Sequence, residues 1–182
     1  MKNLTIRSMT PDEPSTDNDL VDAITQGNLQ AFEGLYDRYA GKVLRRCFFI
    51  SVNQEEARDL MQEVWVKVFL HLHDFKKQAA FSSWLYRLTT NHCLNYIKSK
   101  AHTEQSGTHQ TSVELIHEDP TSTIEVHHLL QKLPLEDRTI LAMKFLGEYT
   151  YDEIAAICEI SVSAAKMRVS RLITKLREEV TT

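Results

Sequence analysis

The apolar residues of this chain recur mainly at three- and four-residue intervals, the spacing that places side chains along one face of an α-helix. Only five glycines and four prolines interrupt these periodic segments. The pattern therefore predicts an all-α protein. Helices are expected over about residues 20–24, 31–49, 53–72, 82–100, 124–133, 136–146, 151–158 and 161–177.

Two of these helices open with a signature of N-terminal capping. The tetrapeptides N-Q-E-E at 53–56 and T-Y-D-E at 150–153 each place a glutamate three residues after a capping side chain. The periodicity also predicts which side chains face inward. They are Ala57, Leu60, Met61, Val64, Val68 and Leu72 in the third helix, Leu85, Leu88 and Tyr96 in the fourth, and Tyr151, Ile154, Ala155 and Cys158 in the seventh.

One long polar stretch divides the chain. Residues 102–123 are acid-leaning and lack a sustained period, which is typical of a flexible linker. We therefore expect two small helical domains, over residues 18–101 and 124–182. Residues 1–17 lack the apolar segment of a signal peptide and are expected to form a short mobile tail.

Composition and charge restrict the class of protein. No uninterrupted apolar run approaches the ~20 residues that a membrane helix needs, so membrane insertion is not expected. Cys47, Cys93 and Cys158 are far apart and lack C-x-x-C spacing, which is typical of reduced, mostly buried thiols in a cytoplasmic protein. The net charge of −4 is unevenly distributed, since residues 65–103 carry 6 basic and 1 acidic side chains. A local basic surface can therefore bind an anion although the whole protein is acidic.

The basic segment 161–177 holds five cations and no acid. On a helical wheel its apolar residues share one narrow arc, and its cations surround the opposite face. A three-residue turn, residues 159–161, follows the short helix before it, and Ser161 in this turn can cap the basic helix. This order is typical of a helix-turn-helix domain, which places its second helix in the DNA major groove. A solvated charged surface is the alternative, but the length of the acid-free run favours duplex DNA. The apolar arc consists of Ala165, Val169, Leu172 and Leu176.

The fourth predicted helix carries a second candidate surface, on the side away from its inward leucines. An aromatic ring for stacking, amides for base edges and cations for the backbone are the groups that single-stranded DNA requires. In the alternative interpretation Trp84 is a core residue, and periodicity alone does not decide between the two. The residues of this surface are Trp84, Arg87, Asn91, Asn95 and Lys98.

The third predicted helix presents an acid-rich face with an apolar centre. Such a face can dock a partner helix, but it can equally be solvated. Its residues are Asp59, Gln62, Glu63, Val66 and Lys67.

Three segments resemble a known family in their order and spacing. They are DLMQEVWVKVF at 59–69, FSSWLYRLTTNHCLNYIK at 81–98, and LPLEDRTILAMKFLGEYTYDEIAAICEISVSAAKMRVSRLITKLRE at 133–178. Together they resemble the two domains of the extracytoplasmic-function (ECF) sigma factors of bacterial RNA polymerase. The resemblance covers about residues 18–180 and implies a promoter-specific initiation factor rather than an enzyme, with no catalytic residue, metal or cofactor.

The resemblance also implies partners and contacts. The first domain would dock on the clamp of core polymerase through Asp59, Gln62 and Glu63, and the second would contact the flap. The linker would thread toward the RNA exit path, and an anti-sigma factor is a further implied partner. The implied minus-ten contacts are Phe75, Lys76, Trp84, Arg87, Asn91, Asn95 and Lys98. The implied minus-thirty-five contacts are Ser163, Ala164, Lys166, Met167, Arg168, Ser170, Arg171 and Lys175.

The chain departs from the family pattern in two places. Asn95 and Lys98 stand where many members carry Asp and Arg, so the base preference at the minus-ten element does not carry over. The loop at 75–81 lacks the glycine often found there, which affects how a flipped base would be held.

Two other functions compete with this interpretation. His71, His73 and Asp74 are similar to the start of a binuclear hydrolase metal site, although such a site needs further ligands from a sheet-rich fold. An ordinary helix-turn-helix regulator with an N-terminal sensor domain is the second alternative. A regulator binds promoter duplex tightly by itself, whereas a sigma factor usually needs core polymerase.

Overall fold

The computed structural model describes residues 16–103, 129–130 and 132–181, and the regular elements in these ranges are all helical. The all-α prediction is therefore confirmed. Most of the predicted tail, linker and helix at 124–133 lies outside the described residues. The elements are α1 (Asp17–Thr25), α2 (Gln30–Ser51), α3 (Gln54–His71), a 3-10 turn (Leu72–Asp74), α4 (Phe81–Thr103), α5 (Leu135–Phe145), α6 (Tyr151–Cys158) and α7 (Val162–Thr181).

One of the two predicted capping boxes forms completely. At the start of α6, Thr150 Oγ1 accepts from the Glu153 N–H at 3.2 Å, and Glu153 Oε2 accepts from the Thr150 N–H at 2.8 Å. At the start of α3, Asn53 Oδ1 accepts from the Glu56 N–H at 3.1 Å, but the Glu56 carboxylate pairs with Lys100 on α4 instead. The capping box predicted at 53–56 therefore forms only in part, because Lys100 on the neighbouring helix binds the Glu56 carboxylate.

The N-terminal core is formed where α2, α3 and α4 pack together. Leu85 is buried as predicted, whereas Leu88 and Tyr96 are only half-buried. In α3 the predicted stripe is buried except for half-buried Met61, and Trp65, which the prediction missed, is 5 % exposed. Its ring lies edge-on to Phe32, with 5.6 Å between centroids, so aromatic packing extends the core toward the surface.

All three cysteines are free and two of them are buried, which confirms the prediction of reduced, mostly buried thiols. Cys47 on α2 and Cys93 on α4 are fully buried and free, with their sulfur atoms 3.6 Å apart. The Cys47 contact, together with burial, raises the pKa of Cys93 and keeps it protonated. Cys158 is half-buried. None of the described helices has the length and apolar character needed to cross a membrane.

The C-terminal helices pack against the N-terminal ones. Val52, which follows α2, is 7 % exposed and lies in a small apolar cluster with leucines of the C-terminal half. The Arg46 guanidinium lies 3.3 Å from the centroid of the Tyr86 ring, and Arg46 Nε donates to the Leu146 carbonyl at 3.2 Å. The leucines of the cluster are Leu130, Leu133, Leu141 and Leu172.

Candidate nucleic-acid interface

The C-terminal half forms the predicted helix-turn-helix. Residues 159–161 connect α6 to α7, and Glu159 adopts a left-handed conformation with φ of 54°. The turn is closed by the Ile160 N–H, which donates to the Ala155 carbonyl at 3.0 Å. Ser161 Oγ accepts from the Ala164 N–H at 3.1 Å, as expected of a cap on α7.

The exposed side of α7 matches the helical wheel. Ala165, Val169 and Leu172 are buried and Leu176 is half-buried, so the apolar arc holds α7 against α5 and α6. The opposite side forms what is called here the α7 face, a surface of cations, hydroxyls and one thioether suited to phosphates and base edges. The α7 face consists of the exposed residues Ser163, Ala164, Lys166, Met167, Ser170, Arg171 and Lys175.

Arg168 is the exception among the predicted DNA contacts of α7. Its Nε donates to Asp137 Oδ1 at 2.8 Å and its Nη2 donates to Glu136 Oε2 at 2.9 Å. These carboxylates lie in the first turn of α5, and their hydrogen bonds raise the pKa of Arg168. Arg168 therefore joins α7 to α5 in this structure, and its contact with DNA stays a prediction.

The predicted surface on the fourth helix is part of an open groove of about 450 Å³. This α4 groove lies between α4 and the end of α3, where cations, amides and imidazoles face one another. The periodicity of α4 could not reveal that residues of α3 also line this surface, because the two sets of residues are far apart in the sequence. Lys76 and Lys98 are exposed outside the groove. The α4 groove is lined by Lys67, His71, Asp74, Trp84, Arg87, Leu88, Asn91, His92 and Asn95.

Trp84 is half-buried, so it is partly a core residue and partly a residue of the groove surface. One side of the indole packs against Phe75 and Phe81, with ring centroids 5.6 and 5.7 Å away, while Trp84 also lines the groove. Phe75 is only 8 % exposed, so its ring belongs mainly to the core in this structure, and its direct contact with DNA stays a prediction. The Phe75 ring supports the indole from behind, so the position of the indole is already fixed in the folded protein.

His92 lies deep in the groove wall, with Nε2 2.9 Å from Glu63 Oε2. Burial lowers the pKa of His92, the nearby Lys67 lowers it further, and Glu63 opposes both. The imidazole is therefore neutral at pH 7. The pair with His92 directs the Glu63 carboxylate toward α4, although the Glu63 side chain is still 57 % exposed.

The predicted docking surface on α3 is more apolar than its sequence suggested. Asp59, Gln62 and Glu63 are all exposed as predicted. Beside Gln62 lies an apolar groove of about 390 Å³, in which Phe69 is 50 % exposed and Leu70 58 %. Exposed apolar side chains gathered in one groove mark an interaction surface. This α3 groove is lined by Phe32, Tyr36, Met61, Gln62, Trp65, Val66, Phe69 and Leu70.

The histidines at the end of α3 share one carboxylate partner. Asp74 Oδ2 lies 3.1 Å from His71 Nδ1, and Asp74 Oδ1 lies 3.2 Å from His73 Nε2. Across residues 16–103, 129–130 and 132–181 there is no group of three histidine, cysteine or carboxylate side chains arranged to hold a metal ion. This arrangement gives no support to the metal-site interpretation.

Two residues of the α4 groove already have partners in the C-terminal half. Arg87 Nη1 and Nη2 donate to Glu153 Oε1 and Oε2 at 2.7 and 3.1 Å. The Tyr149 hydroxyl donates to Asn91 Oδ1. The Arg87 contact, together with the Thr150 N–H, lowers the pKa of Glu153 to about 2, and burial raises the pKa of Tyr149.

Comparisons with known proteins identify both halves. The family described as Sigma-70 region 2 matches residues 35–103, and Sigma-70 region 4 matches residues 123–176. The chain is 28 % identical to the ECF RNA polymerase sigma factor SigW of Bacillus subtilis, over 86 % of this chain and 92 % of that protein. It is also 28 % identical to the ECF RNA polymerase sigma-E factor of Haemophilus influenzae, over 87 % and 92 % of the two chains.

Two solved structures share the fold. CnrH, in complex with the cytosolic domain of CnrY, aligns with a TM-score of 0.59 and 22 % identity, over 92 % of this chain and 98 % of that one. The sigma factor RpoE of Bartonella quintana, in complex with the anti-sigma factor NepR, aligns with a TM-score of 0.65 and 18 % identity, over 85 % and 99 %. At these identities the likeness concerns the fold alone.

Proposed function

Because the chain belongs to the ECF sigma factors of bacterial RNA polymerase, we propose that it directs promoter-specific transcription initiation by binding core polymerase and both promoter elements. Residues 18–101 form the region 2-like domain, residues 102–123 the linker, and residues 124–182 the region 4-like domain. The protein acts in the cytoplasm and performs no catalysis of its own. Core polymerase and promoter DNA are its partners, and an anti-sigma factor is a further one.

The α4 groove is the observation that carries this proposal. A helix-turn-helix alone fits any regulator, but a tryptophan supported by two phenylalanines beside Arg87 and Asn91 fits unpaired bases. Stacking on an aromatic ring is worth about 1–3 kcal/mol per base, comparable to the cost of extruding a base from duplex. The groove can therefore bias a promoter toward its melted form.

Promoter melting supplies the first test. Trp84→Ala combined with Asn91→Ala should leave core binding and closed-complex formation nearly normal and abolish permanganate reactivity of thymines around the start site. A template with a pre-opened mismatched bubble should restore much of the transcription. Since Trp84 is half-buried, circular dichroism and urea denaturation must accompany the assay. Wild-type melting by a folded double mutant would contradict the role of this groove.

The α3 surface supplies the second test. Asp59→Lys and Phe69→Ala change exposed side chains, so both variants should fold while associating more weakly with core polymerase. Charge reversal should act mainly on the association rate, and loss of the Phe69 ring mainly on dissociation. Asp152→Lys, an equal charge change on α6, is the matched control. Unchanged co-purification of both α3 variants would exclude this docking surface.

The helix-turn-helix regulator is distinguished by a simple comparison. The purified chain is titrated with promoter duplex in the presence and absence of core polymerase, and run-off transcription is measured on the same fragments. We expect tight binding and transcripts only with core polymerase. Tight promoter binding by the chain alone, without run-off product, would favour a regulator.

A further inference from the structure

The loop of residues 76–80, between the 3-10 turn and α4, borders the α4 groove. Its residues are exposed, whereas Phe75 and Phe81 on either side of it are buried, and the centroids of these two rings lie 5.6 Å apart. The Trp84 N–H donates to the Ala80 carbonyl at 3.3 Å, and the Phe75 ring packs on the Trp84 indole. The ends of the loop are therefore fixed beside the groove, and its exposed middle lies outside the core.

Lys77, in the middle of this loop, has a backbone conformation that favours glycine. Its φ is 56°, in the left-handed region where the Cβ of an L-residue crowds the backbone. Glycine adopts this conformation freely, whereas a lysine there must be held by contacts made elsewhere in the fold. The Lys77 side chain makes such a contact, because its Nζ donates to Asp22 Oδ1 on α1, 55 positions earlier in the chain.

The helix α1 is anchored firmly enough to support the loop. Its Val21 and Ile24 side chains are buried in the N-terminal core. At its first turn, Asp17 Oδ2 accepts from the Tyr39 hydroxyl of α2 at 2.5 Å, and Asp17 also pairs with Arg38. Asp22 therefore extends from a helix whose position the core sets independently of the loop.

We propose that Asp22 is a positioning residue for promoter recognition: its ion pair holds Lys77 in the left-handed conformation and so presents the 76–80 loop to unpaired DNA beside Trp84. The inference rests on the proposed function of the α4 groove. Lys76, the implied DNA contact of the loop, then meets a bound strand from one orientation, and less entropy is lost on binding. The Asp22 carboxylate acts through Lys77 and touches no DNA itself.

A nitroxide label on Gln78→Cys measures the positioning without DNA. The label is attached in a Cys158→Ser background, because the other two cysteines are buried. Asp22→Asn keeps the size of an exposed side chain and removes its charge, so the fold should be retained. The electron paramagnetic resonance spectrum should report a more mobile label in this variant. Asp37→Asn, the same change at an exposed site on α2, is the matched control and should leave the spectrum unchanged.

Binding of open promoter DNA measures the consequence for recognition. The complex reconstituted with core polymerase is titrated with a fluorescein-labelled promoter fragment whose minus-ten segment is held open by mismatches, and anisotropy is followed. Asp22→Asn should weaken this binding about threefold, the scale that a partly exposed ion pair allows. Asp22→Glu, which keeps the charge, should restore most of the affinity.

Substitutions of Lys77 separate its backbone conformation from its charge. Asparagine adopts the left-handed conformation more readily than glutamine does, and neither carries a charge. Lys77→Gln should therefore weaken binding about as much as Asp22→Asn, whereas Lys77→Asn should lose less, and Asp22→Asn should add nothing in the Lys77→Asn background. Equal losses for the two Lys77 variants, together with tighter binding by Asp22→Asn, would mean that Lys77 itself binds DNA, and this result would overturn the proposal.

The outcomes separate this inference from the function on which it rests. If Arg87→Ala weakens binding of the open fragment and Asp22→Asn does not, the groove binds unpaired DNA and the positioning role is wrong, whatever the label reports. If Arg87→Ala has no effect on a folded protein, the groove does not bind unpaired DNA and both proposals fall. Only a more mobile label together with weaker binding in Asp22→Asn supports the proposal.

Discussion

Gly147, between α5 and α6, is a position where one methyl group should disturb the interdomain contact. A Cβ at Gly147 would lie 2.5 Å from Cε2 and 2.6 Å from Cδ2 of Tyr149, and 3.2 Å from the Met143 carbonyl oxygen. Carbon atoms do not approach this closely, so in Gly147→Ala the Tyr149 ring must move. Its movement would also draw the hydroxyl away from Asn91.

The loss in free energy of unfolding follows from the burial and the hydrogen bond that the Tyr149 side chain would lose. A tyrosine buries about 200 Å² of surface, and exposing roughly a quarter of it costs about 1.2 kcal/mol at ~25 cal/mol per Å². Loss of a hydrogen bond adds about 1 kcal/mol. The sum, about 2 kcal/mol, lies within the roughly 1–3 kcal/mol typical of overpacked sites.

Urea denaturation of Gly147→Ala and Gly41→Ala measures this effect against a matched control. Gly41 is exposed within α2, and apart from its chain neighbours and the backbone of its own helix, no atom lies within 4 Å of the place that an alanine methyl group would take there. Alanine at this position should therefore stabilise the protein by about 0.5–1 kcal/mol. The two glycine substitutions should shift the unfolding midpoint in opposite directions. A Gly147→Ala midpoint equal to that of the wild type would refute the packing argument.

Three further predictions concern α7 and the buried histidine. Arg171→Ala should reduce transcription from promoters with an upstream element, and a lost guanine contact would weaken discrimination between bases by about 1–3 kcal/mol. Run-off transcription equal to that of the wild type on all promoters would contradict this prediction. Arg168→Ala should instead lower the free energy of unfolding by about 0.5–1.5 kcal/mol, measured in urea, because it breaks partly exposed charge-assisted bonds to α5. As pH falls below about 6.5, His92 of the unfolded chain gains a proton that His92 of the folded protein resists, so the free energy of unfolding should fall. The His92→Gln variant should show a weaker dependence of this free energy on pH. His73→Gln, at an exposed site, should leave the pH dependence unchanged.

Helical periodicity correctly predicted the features that depend only on residues within one helix. The buried arc of α7 and the capping box at 150–153 depend only on residues within a few turns, and both formed. The partial failure at 53–56 has a different origin. The Glu56 carboxylate meets Lys100, which lies 44 residues away in sequence. A local pattern has no information about such a partner.

The same limit explains the contacts at the candidate sites that the sequence did not predict. Arg168 looks like any exposed cation until α5 brings Glu136 and Asp137 beside it. Phe75 lies in a polar loop, yet its ring is covered by α4. The contact between Asn91 and Tyr149 joins residues 58 positions apart, so it could not be predicted from the local sequence around either residue.

The proposed role of the α7 face in reading DNA gives the Arg168 ion pairs a consequence for the accuracy of that reading. The two carboxylate partners of Arg168 hold α7 at one rotation about its own axis, so the side chains of the α7 face start from a single orientation. The entropy of ordering is then lost during folding and not at each encounter with DNA. A helix free to roll could adapt to mismatched sites by turning a different edge toward the bases. A helix fixed in this way must either match the promoter element it meets or dissociate from it.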